Sequence, residues 1–149
     1  MISLKRKQSG FTIVELLIVI VVIGILAALV VTTFSGVQKK ARDSERQTDI
    51  NAIHGQVEAY YAQNGKYPTL ANMNDSAFVS GTLKGLDPAA LKDPKGTAST
   101  LSATAAAGTY SYAVTPAGCD NAGGGDCTGY TLTATNEGSP ATYVKTSLN

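Results

Sequence analysis

Ile13-Val14-Glu15-Leu16-Leu17-Ile18-Val19-Ile20-Val21-Val22-Ile23-Gly24-Ile25-Leu26-Ala27-Ala28-Leu29-Val30-Val31 is a run of 17 aliphatic residues interrupted only by Glu15 and Gly24. Nineteen helical residues at about 1.5 Å each reach about 28 Å, close to the roughly 30 Å thickness of a bilayer's hydrocarbon core. Ahead of the run, residues 1–10 carry Lys5, Arg6 and Lys7 and no acid. The positive-inside rule then keeps residues 1–10 in the cytoplasm and translocates the chain beyond Val31. A cleaved secretory signal is the simpler alternative. Its apolar region, however, has about 7–15 residues and is followed by a small-residue cleavage site, and it gives no use to a carboxylate. In lipid, Glu15 costs on the order of 2.5–3.5 kcal/mol on insertion scales, which calls for a function.

Lys5-Arg6-Lys7-Gln8-Ser9-Gly10-Phe11-Thr12-Ile13-Val14-Glu15-Leu16-Leu17, with the aliphatic run behind it, resembles the N-terminus of type IV prepilins and pseudopilins. The resemblance implies cleavage by a prepilin peptidase between Gly10 and Phe11, N-methylation of Phe11, and retention of the apolar helix in the mature chain. Gly24 and Ala27-Ala28 follow the same pattern. The proline common in many pilins about eight residues after that glycine is replaced by Thr32. For Glu15 the resemblance implies an assembly role, in which its carboxylate meets the Phe11 amine of a neighbouring subunit. Low dielectric strengthens such a pair and penalises a subunit docked out of register. A snorkelling Glu15 that reaches the headgroups is the plainer reading.

Beyond the membrane segment the helix is expected to continue. Ile50, Ile53, Val57 and Tyr60 or Tyr61 recur at spacings of three and four, the pattern of one buried stripe. Asn64-Gly65 and then Pro68 end it. Lys39, Lys40, Arg42 and Arg46, mixed with Asp43 and Glu45, read as a solvated helix face, or alternatively as partners for salt bridges between subunits. One helix over residues 12–64 reaches about 80 Å, too long for the remaining 85 residues to cover, so its first half needs lipid or other helices. The β-branched run Val30-Val31-Thr32-Thr33, flanked by Gly24 and Gly36, lowers helix propensity and marks a stretch expected to loosen in a fibre, although Thr hydroxyls can bond back to the helix.

The segment from Tyr60-Tyr61 to Tyr67-Pro68 also resembles the pilin and pseudopilin pattern; its aromatic residues read as packing. Residues 69–108, rich in Ala, Ser, Thr, Gly and Pro, read as a surface connection with a short helix near Pro88–Lys92. Alternation then places Tyr110, Tyr112 and Val114 on one strand face and Tyr130, Leu132 and Ala134 on another, with a third strand near Tyr143–Thr146. The expected fold class is α+β: a long N-terminal helix packed on a small antiparallel sheet. The expected segments are a leader at 1–10, an assembly helix at 11–36, an amphipathic helix at 37–64 and a head at 65–149.

Cys119 and Cys127, on the outer side of a membrane, most simply form a disulfide worth about 2–3 kcal/mol by the chain-entropy model. Asp120 and Asp126 between them are too few, and wrongly spaced, for a calcium loop, although some pseudopilins as a family bind calcium. No cofactor or metal is expected. The whole chain has a net charge of +1, and residues 65–149 carry five Lys against six acids, which leaves no electrostatic footprint for nucleic acid in the head. His54 lacks a sequence-evident nucleophile and Gly123-Gly124-Gly125 lacks the context of a phosphate loop, so no enzyme is expected.

The function implied is a type IV pilus subunit, held in the cytoplasmic membrane with its head outside and then polymerised into an extracellular fibre. Its partners by resemblance are copies of itself, the prepilin peptidase, and an assembly platform with an ATPase motor. The alternatives are a major pseudopilin of type II secretion and, from another class, a membrane-anchored binding module that never polymerises. A disulfide-closed loop resembles many pilins more.

Overall fold

In a computed structural model that describes residues 10–149, the aliphatic run and the amphipathic stripe lie in one helix, α1 (Ile13–Asn64). Two short helices follow, α2 (Leu70–Met73) and α3 (Ser76–Thr82), then a 3-10 turn at Pro88–Leu91. Strands β1 (Ser111–Thr115), β2 (Gly129–Thr135) and β3 (Thr142–Thr146) form one antiparallel sheet in the order β1-β2-β3, so the fold is α+β as expected. The chain divides into two compact units, one ending at Gln38 and the other running from Lys39 to Asn149.

In the first unit the helix presents its apolar side chains to the outside: Ile13 is 84% exposed, Leu29 64% and Phe34 59%. Within its 52 residues lies a window long and apolar enough to cross a membrane. The stretch from Val30 to Gly36 is helical, and the Thr33 hydroxyl donates to the Leu29 carbonyl at 3.0 Å, the back-bonding by which a β-branched residue stays in a helix.

In the second unit Ile50, Ile53 and Val57 are fully buried and form the helix side of the core. The sheet side is Tyr112, Tyr130, Leu132 and Ala134, all on the β face that alternation assigns to the interior. Their register follows: Tyr112 pairs with Leu132 and Val114 with Tyr130 across β1–β2, and Ala134 with Tyr143 across β2–β3. Gly65 ends α1 at φ +70°, where its N–H reaches the Tyr61 carbonyl at 2.7 Å, the single-bond left-handed cap that glycine adopts without strain.

Tyr67 is buried, stacked on Tyr61 at 4.4 Å between ring centres and edge-on to Tyr130 at 4.9 Å. Each buried phenol is satisfied: Tyr112 donates to the Pro68 carbonyl, Tyr110 to Asp49, and Tyr67 and Tyr130 to Glu58. Since the one hydroxyl proton of Tyr130 goes to Glu58, the 2.6 Å contact with His54 Nδ1 places the proton on that ring nitrogen. His54 is therefore a half-buried packing residue tied to β2.

Residues 69–108 correct the expectation of a surface connection. Met73, Val79, Leu83, Leu86, Leu91 and Leu101 are all buried there. Thr69 and Asn72 form a reciprocal capping box on α2, and Asp75 and Asp87 cap the next two turns. Val79, Leu83 and Leu86 stand four and three apart, a helical spacing too short to stand out, while Met73, Leu91 and Leu101 fall outside any period that would signal their burial. The short helix expected near Pro88–Lys92 is the 3-10 turn.

Cys119 and Cys127 are joined by a disulfide across Cα atoms 5.2 Å apart. The loop it closes is docked on the segment after α1. Tyr67 N–H donates to the Cys127 carbonyl, and Asn121 donates to the Tyr67 carbonyl through its side-chain amide. Lys66 reaches the Asn121 carbonyl and Asp126. Asp120 accepts the Ala122 and Gly124 amides at 2.9 Å, so both loop carboxylates already have work inside the chain.

Candidate functional site

The site that the sequence singles out begins at Gly10 and Phe11, both exposed, with Phe11 87% accessible. Lys5, Arg6 and Lys7 lie outside the described residues. At the helix start, Thr12 and Glu15 hold one another. The Thr12 N–H and hydroxyl both donate to Glu15 Oε2 at 2.8 Å, while the Glu15 N–H donates to the Thr12 hydroxyl at 3.2 Å. This is a capping box with Thr12 before the first helical residue and Glu15 at the third. It satisfies two of the helix's otherwise orphaned donors and sets a carboxylate against the positive end of the helix dipole.

The reciprocal pair was legible as Thr-x-x-Glu, but the family resemblance drew attention to Glu15 alone. Its structural consequence is that Glu15 is held in place one turn from Phe11 while Oε1 has no partner among the described residues. A carboxylate so placed can accept a further donor, such as an amine, without giving up its cap. Around it, Ile13, Val14, Leu16 and Leu17 are all more than half exposed, so a second helix has apolar surface to bury. One more apolar hollow of about 340 Å³ lies further along the same unit, lined by Leu29, Val30, Thr33, Phe34 and Val37.

The charged stretch of α1 in the second unit corrects another expectation. Arg46, read as part of a solvated face, is 1% exposed. Its guanidinium forks onto Asp93, also 1% exposed, at 2.7 and 3.1 Å, and its remaining nitrogen reaches Asp43 at 2.7 Å and Glu137 at 3.2 Å. Arg42 forks onto Glu137 at 2.6 and 2.8 Å, and Lys95 reaches it at 3.5 Å. Asp43 in turn accepts the Glu137 and Gly138 amides. Arg42, Asp43 and Arg46 thus join α1, the turn at Asp93 and the β2–β3 loop within one chain. Arg46 lies four residues before Ile50, on the backward extension of the buried stripe. That continuation was the available signal.

The pairing shifts the carboxyls. The Arg42 guanidinium holds Glu137 down at about 2, outweighing the effect of burial, with Arg46 adding to it. Burial pushes Asp43 up, but the Glu137 amide, Arg46 and the Gly138 amide together leave it below the usual carboxylate range. Burial raises Asp49, against the pull of its bond from Tyr110. Glu137 and Asp43 contribute stability that is present above their unfolded values of about 4.3 and 3.9 and is lost as pH falls through the folded ones. Asp49 has the opposite sign: its contribution is present below about 3.9 and lost as pH rises through its folded value. With two groups against one, the urea midpoint of the detergent-solubilised chain is expected to fall between about pH 4.5 and 2. A flat midpoint over that window would mean that the arginines do not hold these carboxylates in solution.

With this geometry in view, the comparisons with known proteins bear on the N-terminus directly. The family model described as the prokaryotic N-terminal methylation motif matches residues 5–31, the span that holds Gly10, Phe11, Thr12 and Glu15. In this span the chain is similar to type IV pilins and type II secretion pseudopilins. The chain is 38% identical to type II secretion system core protein G of Aeromonas hydrophila over 89 residues, 60% of its own length and 62% of that protein's. It is 39% identical to core protein G of Escherichia coli strain K12, over 52% of its own length and 53% of that protein's. To the type IV major pilin protein PilA of Myxococcus xanthus strain DK1622 it is 33% identical, over 44% of its own length and 30% of that protein's. It therefore spans less than two thirds of each of these relatives. No solved structure matches the chain significantly.

Proposed function

We infer that the protein is a filament subunit that waits in the cytoplasmic membrane, is cut between Gly10 and Phe11 by a prepilin peptidase, is methylated at Phe11, and polymerises through the apolar part of α1. The observation that carries this reading is a single segment in which the methylation motif, a capped Glu15 and a wholly exposed apolar helix coincide. In lipid the exposed side chains are solvated by acyl chains, and in a fibre by neighbouring helices. Glu15 disfavours the first environment and, paired with a neighbour's Phe11 amine, suits the second.

Of the two fibres in the family, the type II secretion pseudopilus is the first to test, because the core protein G relatives bear that name. The surface pilus is the second, favoured by the disulfide-closed loop and the Myxococcus relative. Either fibre calls for an assembly platform and an ATPase motor as partners.

Mass spectrometry of sheared fibres is expected to find a chain that starts at methylated Phe11 and carries the Cys119–Cys127 linkage. A chain found only in the membrane fraction with residues 1–10 attached would replace this reading with the non-polymerising anchored module. Disruption of the gene then separates the two fibres: lost export of folded proteins marks the pseudopilus, and lost surface fibres with export intact mark the pilus.

A further inference from the structure

β1 and β3 close the sheet at opposite edges, and each turns a row of backbone groups away from β2. On β1 the row is occupied at one end only. Ser102 runs parallel to it, donating its N–H to the Tyr110 carbonyl at 2.9 Å and accepting from the Tyr112 N–H at 2.8 Å. Because successive residues of a strand turn their peptide groups to alternate sides, the next rungs on this edge are the Tyr112 carbonyl and both backbone groups of Val114. The chain leaves the edge there, as the Thr104 N–H turns back to the Ser102 hydroxyl at 3.2 Å. In the space that it vacates lies a groove of about 610 Å³ beside α2, lined by Leu70, Ala71, Ala103, Val114, Ala117 and Asp120.

Among the described residues nothing pairs with the outer edge of β3. Bonds from the Asn136 N–H to the Ala141 carbonyl and from the Ser147 N–H to the Tyr130 carbonyl turn the odd-numbered residues of this strand toward β2. Thr142, Val144 and Thr146 therefore present their backbone groups outward, and the Val144 side chain is 46% exposed.

We propose that β3 of one subunit adds to the β1 edge of the next, continuing the ladder that Ser102 begins. This rests on the filament reading above. Strand direction supports it: β1 and β3 are both antiparallel to β2 and hence parallel to each other. Copies related by a helical repeat with like-oriented sheets then bring β3 to β1 in the same sense as Ser102.

Charge supports it too. Lys145 lies on the face of β3 that it shares with Leu132 and Tyr112. Its ammonium sits 5.9 Å from the Tyr143 ring centre and has no carboxylate partner among the described residues. An incoming Lys145 enters the groove on the side of Val114, where Asp120 holds its loop amides through Oδ1 and leaves Oδ2 for a partner. The two edges differ, so the contact is head-to-tail, the kind from which an open helical fibre is built.

Cysteine pairs test it in the full chain: Ala113→Cys with Val144→Cys, and Thr115→Cys with Val144→Cys, which together cover the two registers that place these outer-face residues side by side. After mild oxidation of sheared fibres, one pair is expected to give a ladder of dimers, trimers and higher species on a non-reducing gel, with no ladder from the single substitutions. Fibres that form normally but run as monomers with both pairs would overturn the proposal. Should the double variants fail to assemble, Lys145→Glu decides. Facing Asp120, the reversed charge is expected to lower fibre yield at least about fivefold with the head's circular dichroism unchanged. An unchanged yield would overturn the proposal. Absence of fibres from the unsubstituted chain would instead overturn the filament reading and this inference with it.

Discussion

Replacing Glu15 by Val is expected to leave membrane insertion and leader cleavage intact and to cut fibre yield at least about tenfold, the change that follows once the altered balance exceeds about 1.4 kcal/mol per subunit. Two terms push the same way. Removing the carboxylate improves residence in lipid by on the order of 2.5–3.5 kcal/mol on insertion scales, so extraction becomes harder. In the proposed fibre it also leaves the neighbour's Phe11 amine uncompensated in a low-dielectric core, the costly way to break a buried pair.

The capping box supplies the control that separates these terms from helix stability. Glu15→Gln keeps an acceptor for the Thr12 N–H, since Gln serves as well as Glu at that position, but carries no charge. If charge pairing drives assembly, Gln fails nearly as badly as Val. Fibre yields near the parent level from the Gln variant would reduce Glu15 to a helix cap, and normal yields from the Val variant would remove its assembly role altogether.

The second large effect is on the head. Arg46→Ala strands Asp93, which is 1% exposed and among the described residues keeps only the Lys95 amide as a further partner for its carboxylate. Breaking a buried ion pair from one side costs about 3–5 kcal/mol, a large share of the roughly 5–15 kcal/mol that holds a domain folded. The urea midpoint of the detergent-solubilised chain, followed by tyrosine fluorescence because the chain has no Trp, is therefore expected to drop steeply.

Lysine at position 46 should recover only part of the loss, because a point charge cannot fork onto Asp93 and also reach Asp43 and Glu137. Arg46→Met combined with Asp93→Leu should recover more than lysine does, since it removes both buried charges together. A cost below about 1 kcal/mol for Arg46→Ala, the level of an exposed pair, would contradict the burial of this network.

Long periodic elements and local chemistry were readable from the residues. Seventeen aliphatic residues around one Glu can form little other than an apolar helix. The spacing of Ile50, Ile53 and Val57 assigns their face, and the alternation around Tyr112 and Leu132 assigns the sheet's interior. Each of these signals repeats within a few residues, so backbone geometry alone converts sequence position into direction. The Asn64-Gly65 stop and the Cys119–Cys127 loop are local in the same sense: the first needs only a left-handed cap and the second only two nearby thiols.

What tertiary structure decided is where partners are distant or where no period exists. Whether Arg46 is solvated depends on Asp93 and Glu137, 47 and 91 residues away, and a guanidinium reads alike in both cases until those carboxylates are brought to it. Met73, Leu91 and Leu101 are isolated apolar residues in a polar, small-residue segment. Their burial follows from the helix and sheet faces they cover, not from their own spacing. The vacated rung beside Ser102 exists only because the chain leaves the β1 edge at that point, a matter of path. Sequence alone sufficed where the physics is a repeat along the chain, and folding was needed where it is a meeting of charges, isolated anchors or strand edges far apart in it.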